Sequence, residues 1–164
     1  PEPRLDQSST FSAISELQMF MEYFPESKRK TEAQLMIFGL QDKLVMKDYL
    51  TAKLYYDLGT YTGNASYTAD MRINGNNFLA CITTAQNALK DYPYTSMRED
   101  ISILLLRAKH KLGSESVLEK KEERMRETID EYYAFKNEFP ESKYMKEVEA
   151  IYKDASKYVK ELNE

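Results

Sequence analysis

Little in this chain is built for chemistry. Among 164 residues there is one histidine, His110, between Lys109 and Lys111, and one cysteine, Cys81. A Ser/His/Asp set cannot be assembled without His110, and no acid stands at a motif spacing that singles it out. HExxH, CxxC, GxGxxG and Walker-type loops are absent, and no Glu/His cluster has metal-ligand spacing. These absences argue against an enzyme and against a metal or cofactor. One cysteine forms no internal disulfide, and the small and apolar neighbours of Cys81 mark it as a packed core thiol. No apolar run approaches the roughly 20 residues that span a bilayer, and no signal peptide is visible. With a net charge of −4 and no Lys/Arg stripe, the chain offers nucleic acid no footprint.

Helix breakers are scarce as well: 5 Gly and 5 Pro in the whole chain, so where they stand carries information. Three of the prolines sit in one repeated phrase. The copies are Glu22-Tyr23-Phe24-Pro25-Glu26-Ser27, Lys90-Asp91-Tyr92-Pro93-Tyr94-Thr95 and Asn137-Glu138-Phe139-Pro140-Glu141-Ser142. An aromatic precedes each proline, and Ser or Thr follows two residues later. Eight residues after the prolines stand Ala33, Ile101 and Val148; eleven after, Met36, Leu104 and Ile151; fifteen after, Leu40, Ala108 and Ala155; nineteen after, Leu44, Leu112 and Val159. Offsets of 8, 11, 15 and 19 trace one face of a helix. A recurring helix–proline–helix unit predicts a helical solenoid, an architecture that usually binds other proteins. Frequent tyrosine (13) with no tryptophan suits helix pairs whose rims meet water.

The expected fold is all-α, a single solenoid domain over 1–164, with helices near 10–24, 28–58, 77–91, 96–112, 116–138 and 142–162. Ser9 or Thr10 caps the first, Ser27 the second, and Ser114 or Ser116 the fifth. The second helix is very long, with a bend allowed at Gly39 or between Lys47 and Asp48. Gly59 and Gly113 stand at helix C-caps. Residues 60–76 form the one long irregular insert, within which 67–73 could make a short strand or helical turn. The insert is either a partner-contacting lid or a tolerated insertion. The run Glu119-Lys120-Lys121-Glu122-Glu123-Arg124 reads as a solvated face with i,i+4 pairs. Pro1-Glu2-Pro3-Arg4 reads as a loop with no initiator Met, as in a processed product or an excised piece.

The residues around Gly59 resemble the tetratricopeptide repeat. Ala52, Tyr55, Gly59 and Tyr61 stand at its small, aromatic, glycine and aromatic positions. Phe78, Cys81, Ala85 and Ala88 stand at those of its second helix. Counting back from Pro25 places Thr10, Ala13, Leu17 and Phe20 likewise, so the chain opens on the second helix of a repeat. A closer resemblance is to the BamD (ComL-like) outer-membrane assembly lipoproteins. It is carried by Leu5-Asp6-Gln7-Ser8-Ser9-Thr10, Ala13-Ile14 and Tyr23-Phe24-Pro25-Glu26-Ser27. It continues through Glu32-Ala33, Leu40-Gln41-Asp42-Lys43-Leu44, Tyr49, Ala52, Tyr55 and Gly59, then Asn77 to Pro93. It covers most of 5–112 and weakens beyond Gly113; the insert departs from it.

That resemblance implies a lipid-anchored scaffold at the periplasmic face of the bacterial outer membrane. It would dock on the periplasmic domains of a BamA-like barrel protein, with other assembly subunits as further partners. The lipidated cysteine and the N-terminal repeats that meet unfolded barrel clients would lie outside this chain. Asp42, Lys43 and Leu44 match the family's partner-side element, Leu44 also falling on the inward face. As anchors for a partner the chain offers Lys43, Lys47, Tyr55 and Tyr56 on the long helix and Tyr61 and Arg72 in the insert. A generic tetratricopeptide adaptor holding a peptide in its groove is the alternative.

Overall fold

A computed structural model of the protein describes residues 1–60 and 76–161. They form six helices: α1 (Ser8–Tyr23), α2 (Lys30–Leu58), α3 (Asn77–Asp91), α4 (Arg98–Ser114), α5 (Leu118–Glu138) and α6 (Met145–Glu161). No strand occurs among the described residues. Each helix packs on the next, and α2 also touches α4, as α4 touches α6. Contacts confined to neighbours and next-but-one neighbours describe stacked helical hairpins, a solenoid-like all-α fold.

The three proline phrases fold into one turn used three times. The proline ring bars the residue before it from helical geometry. Phe24, Tyr92 and Phe139 accordingly take φ of −126°, −128° and −128° with ψ of 61°, 67° and 62°. Each still donates its N–H to the carbonyl four residues back, on Phe20, Ala88 and Phe135. The hydroxyl two residues after the proline then accepts an N–H two residues further on. Ser27 accepts from Arg29 at 3.2 Å, Thr95 from Met97 at 3.2 Å and Ser142 from Tyr144 at 3.0 Å. These hydroxyls organise the turn, and the helices proper start after it, at Lys30, Arg98 and Met145 rather than at 28, 96 and 142.

Other helix ends differ from expectation for local reasons. α1 begins at Ser8, so Ser9 and Thr10 lie inside it. The side chain of Asp6 accepts from Ser8 N–H at 3.2 Å, and buried Gln7 takes the Thr10 hydroxyl at 2.8 Å. Ser114 and Ser116 do not cap α5. Their hydroxyls turn back to the His110 and Leu112 carbonyls, which close the end of α4. Gly113 is likewise no C-cap: it is buried inside α4, and a Cβ there would stand 3.1 Å from Met125 Sδ, so its smallness admits α5. α3 keeps its expected span, with Asn76 Oδ1 accepting from Phe78 N–H at 2.9 Å. The charge run contributes the Glu122–Arg126 pair at 2.6 Å.

Three apolar clusters hold the stack. Ile14 of α1 meets Ile37 and Leu44 of α2. Val45 and Ala52 of α2 meet Phe78, Cys81, Ile82 and Ala85 of α3 and Ile101, Leu104 and Leu105 of α4. Ile103 and Leu106 of α4 meet Tyr132 and Phe135 of α5 and Val148 and Ile151 of α6. Every residue from Ile101 to Leu106 is buried, so α4 is apolar on opposite faces because helices cover both.

The repeated inward face holds in α4 and α6 but not throughout α2. Met36 is 51% exposed, as are Leu35 at 65% and, on α1, Phe11 at 57%, while Ile37 is buried in Met36's stead. Here α1 meets the Ile37 and Leu44 edge of α2, with Tyr92 of the Pro93 turn packed beside it, and Leu35 and Met36 stay exposed.

α2 runs unbroken through Gly39 and through Lys47–Asp48, about 44 Å of helix. Gly39 is exposed, and a Cβ there meets nothing within 4 Å. Gly39→Ala is therefore expected to stabilise the protein by about 0.5–1 kcal/mol, raising Tm by a few degrees in a calorimetric scan.

Candidate functional site

The registers of the three hairpins differ, and the difference opens a groove. Asp42 stands 17 residues after Pro25 yet meets Thr95, 2 residues after Pro93; Glu99 stands 6 after Pro93 and meets Ser142, 2 after Pro140. α4 thus starts far along α2, whereas α6 starts near the beginning of α4. The first half of α2 overhangs, flanked by α1 and by the Pro93 turn. Between them lies an open groove of about 900 Å³. Its floor is one stripe of α2: Lys30, Gln34, Ile37, Phe38 and Gln41. Met21 and Glu22 of α1 form one wall, and Asp91 to Ser96 the other. Phe38 is 46% exposed on the floor, and Tyr94 at the tip of the turn is 90% exposed. Apolar rings beside Lys30, Glu22 and Asp91 make a surface suited to a protein segment rather than a small solute.

Asp42 lies at the end of this groove and braces it. Its Oδ1 accepts the Thr95 hydroxyl at 2.8 Å and the Ser96 N–H at 3.3 Å, and its Oδ2 accepts the Ser96 hydroxyl at 2.7 Å. Partial burial works to raise its carboxyl, but these hydrogen bonds together outweigh that and hold it below the usual carboxylate range. Its carboxylate is therefore engaged in fixing the Pro93 turn to α2. Asp42→Ala is expected to cost about 1–2 kcal/mol near neutral pH. Because the folded-state value is the lower one, this stabilisation is complete above the ordinary carboxylate value. It is lost as pH falls through the lowered one. Urea melts of the variant and the parent should therefore differ at pH 7 and converge as pH falls below the ordinary carboxylate range.

The other residues expected to meet a partner are scattered. Lys43 is half-buried on α2 and lies outside the groove lining. Lys47 Nζ donates to the Leu5 carbonyl at 3.2 Å, tying down the segment before α1. Tyr55 and Tyr56 pack on the α2–α3–α4 cluster, with Tyr56 edge-on to Phe78 at 5.7 Å. They serve the core, and burial raises the Tyr56 hydroxyl. Tyr61, Arg72 and the 67–73 segment lie outside the described residues, as does nearly all of the insert.

Acidic groups beside the groove are crowded. Burial and the charge of Asp91 raise the Asp48 carboxyl, and burial with Asp48 and Asp91 raises the Tyr92 hydroxyl. Elsewhere, burial and Asp57 push the Cys81 thiol up to about 12, leaving a packed, unreactive side chain. His110 Nε2 lies 2.9 Å from Asp154 Oδ2, joining α4 to α6. Among the described residues no group of three His, Cys, Asp or Glu side chains is arranged to hold a metal, and no helix is long and apolar enough to cross a membrane.

Sequence reasoning passed over Phe38, Lys30 and Tyr94. Tyr94 had left a signal: the other two turns carry Glu26 and Glu141 at its place. Phe38 had one too, for it lies off the shared inward face and is apolar nonetheless. No family model matches this chain, and no curated protein matches it.

Proposed function

We propose that this protein is a non-enzymatic scaffold that binds another protein in the groove beside the Pro93 turn. The observation that carries this reading is the overhang of α2, which leaves apolar side chains uncovered next to a turn fixed by Asp42. Stacked hairpins supply such concave surfaces without turning anything over, and affinity there comes from a few aromatic and charged anchors.

The resemblance to the BamD (ComL-like) lipoproteins extends the proposal. The scaffold would belong to the outer-membrane barrel assembly machinery, facing the periplasm and docking on the soluble domains of a BamA-like protein. The supports are the residues of the opening motif, the long helix through Gly59 and the tetratricopeptide-like positions around it. A tetratricopeptide adaptor binding a peptide segment is the second reading, favoured by the size of the groove.

An affinity pull-down from detergent-solubilised envelope membranes, read by mass spectrometry, tests the proposal. Recovery of a BamA-like barrel protein supports the assembly scaffold. Recovery of unrelated soluble proteins through short segments transfers the reading to the adaptor. Within the assembly reading, Lys43→Glu is expected to weaken capture of the barrel protein's periplasmic domains by about tenfold with the helical signal unchanged. Equal capture removes Lys43 from the contact.

A further inference from the structure

The fold carries its own template for what fills the groove. α2 and α4 both follow a proline turn, so their positions correspond. Five residues after the prolines stand Lys30 and Arg98; thirteen after, Phe38 and Leu106; sixteen after, Gln41 and Lys109. In α4 this stripe is covered by α5. Arg98 pairs with Glu138, Leu106 is fully buried against Tyr132 and Phe135, and Lys109 pairs with Glu131 at 2.7 Å. Residue numbers rise along α4 as they fall along α5, so the covering helix runs antiparallel. In α6, where the stack ends among the described residues, Lys153 replaces the apolar residue at the thirteenth place and is exposed. The thirteenth place is thus apolar where a helix covers it and charged where none does. α2 alone breaks the correlation, because α3 packs farther along α2 and leaves Phe38 open.

We propose that the groove receives an amphipathic α-helix of a partner protein. The helix lies antiparallel to the first half of α2, sets an aromatic or aliphatic side chain on Phe38 and offers a carboxylate to Lys30. The floor from Lys30 to Gln41 corresponds to about three helical turns of contact, roughly 16 Å. Charge complementarity at Lys30 follows the Arg98–Glu138 pair, and the apolar contact follows Leu106 on Phe135. This inference rests on the scaffold reading and names the chemistry of its partner.

The probe is a fluorescein-labelled peptide copying Leu118–Glu138, titrated with the whole protein and followed by anisotropy. Saturable binding in roughly the high-micromolar range is expected for so small an interface. Phe38→Asp should abolish it, and Lys30→Glu should weaken it about tenfold. A peptide carrying Glu138→Lys should regain the lost affinity on the Lys30→Glu protein, which a merely structural effect would not produce. Both protein positions are exposed, so circular dichroism should show the variants folded. Absence of saturation, or equal affinity for the Phe38→Asp protein, overturns the proposal. So does a concentration-dependent dimer in sedimentation that Phe38→Asp dissolves, since the groove would then hold a second copy. Failure of the peptide arm while envelope capture persists removes the helix alone. Failure of capture removes the scaffold reading.

Discussion

Phe135→Ala should destabilise the protein by about 3–5 kcal/mol, the cost of emptying a packed aromatic site that cannot collapse. Phe135 is 1% exposed and touches the cluster that joins α4, α5 and α6, with its ring 5.1 Å from that of Phe139. α6 is held to the stack chiefly through this cluster, with the Arg107–Glu147 and His110–Asp154 pairs to α4 at its exposed edge. Chemical denaturation followed by far-ultraviolet circular dichroism should show the midpoint lowered by about 1–2 M urea. Tyr94→Ala, at a ring that is 90% exposed, should change stability by less than about 0.5 kcal/mol. If the two variants melt alike, α5 and α6 are not packed as described.

Gly59→Ala should be nearly as damaging, about 2–4 kcal/mol, although it adds a single carbon. Two costs coincide. Gly59 has φ 53° and ψ −119°, a conformation that L side chains rarely adopt, and its N–H closes α2 on the Tyr55 and Tyr56 carbonyls. The added Cβ would also stand 3.1 Å from Cζ of Phe78, a buried ring set edge-on to Tyr56 that would have to shift by a few tenths of an ångström. A double-mutant cycle with Phe78→Leu separates the two costs, because the smaller side chain relieves the contact and leaves the backbone strain. A melt of Gly59→Ala within about 0.5 kcal/mol of the parent would mean that the chain leaves α2 by another route.

Much of the architecture is legible in the amino-acid order because the signal is local. The proline phrases state where three helices stop, and the bulk of Ile101, Leu104, Val148 and Ile151 states which face turns inward. α3 begins at Asn77, after an asparagine that caps it, and α2 ends at a glycine with positive φ. What escapes is register between elements. Nothing near Asp42 in the chain announces Thr95 and Ser96, more than fifty residues away, so a bracing carboxylate looks like a surface charge. Met36 fits the inward period but stays half exposed, since α3 packs farther along α2. Gly113 carries the composition of a C-cap and the job of a packing notch against Met125. The second apolar face of α4, Ile103 and Leu106, is hidden in an unbroken apolar run that shows no period. The groove inherits this blindness, for it is made by a stagger, and stagger is a property of pairs.

The sparse burial of α1 bears on timing. Only Thr10 and Ile14 of its residues are buried, whereas α4 is covered on both sides. Free energies of local opening follow such burial, so amide hydrogens of α1 should exchange with solvent first and those of α4 last. Met21 and Glu22 are a wall of the groove, and that wall exists only while α1 is docked. Occupancy of the groove and closure of α1 are therefore one linked equilibrium. An occupant slows exchange across α1 in proportion to its concentration over its Kd, while leaving α4 untouched. Exchange across α1, where only Thr10 and Ile14 are buried, is therefore the signal that an occupant of the groove would change.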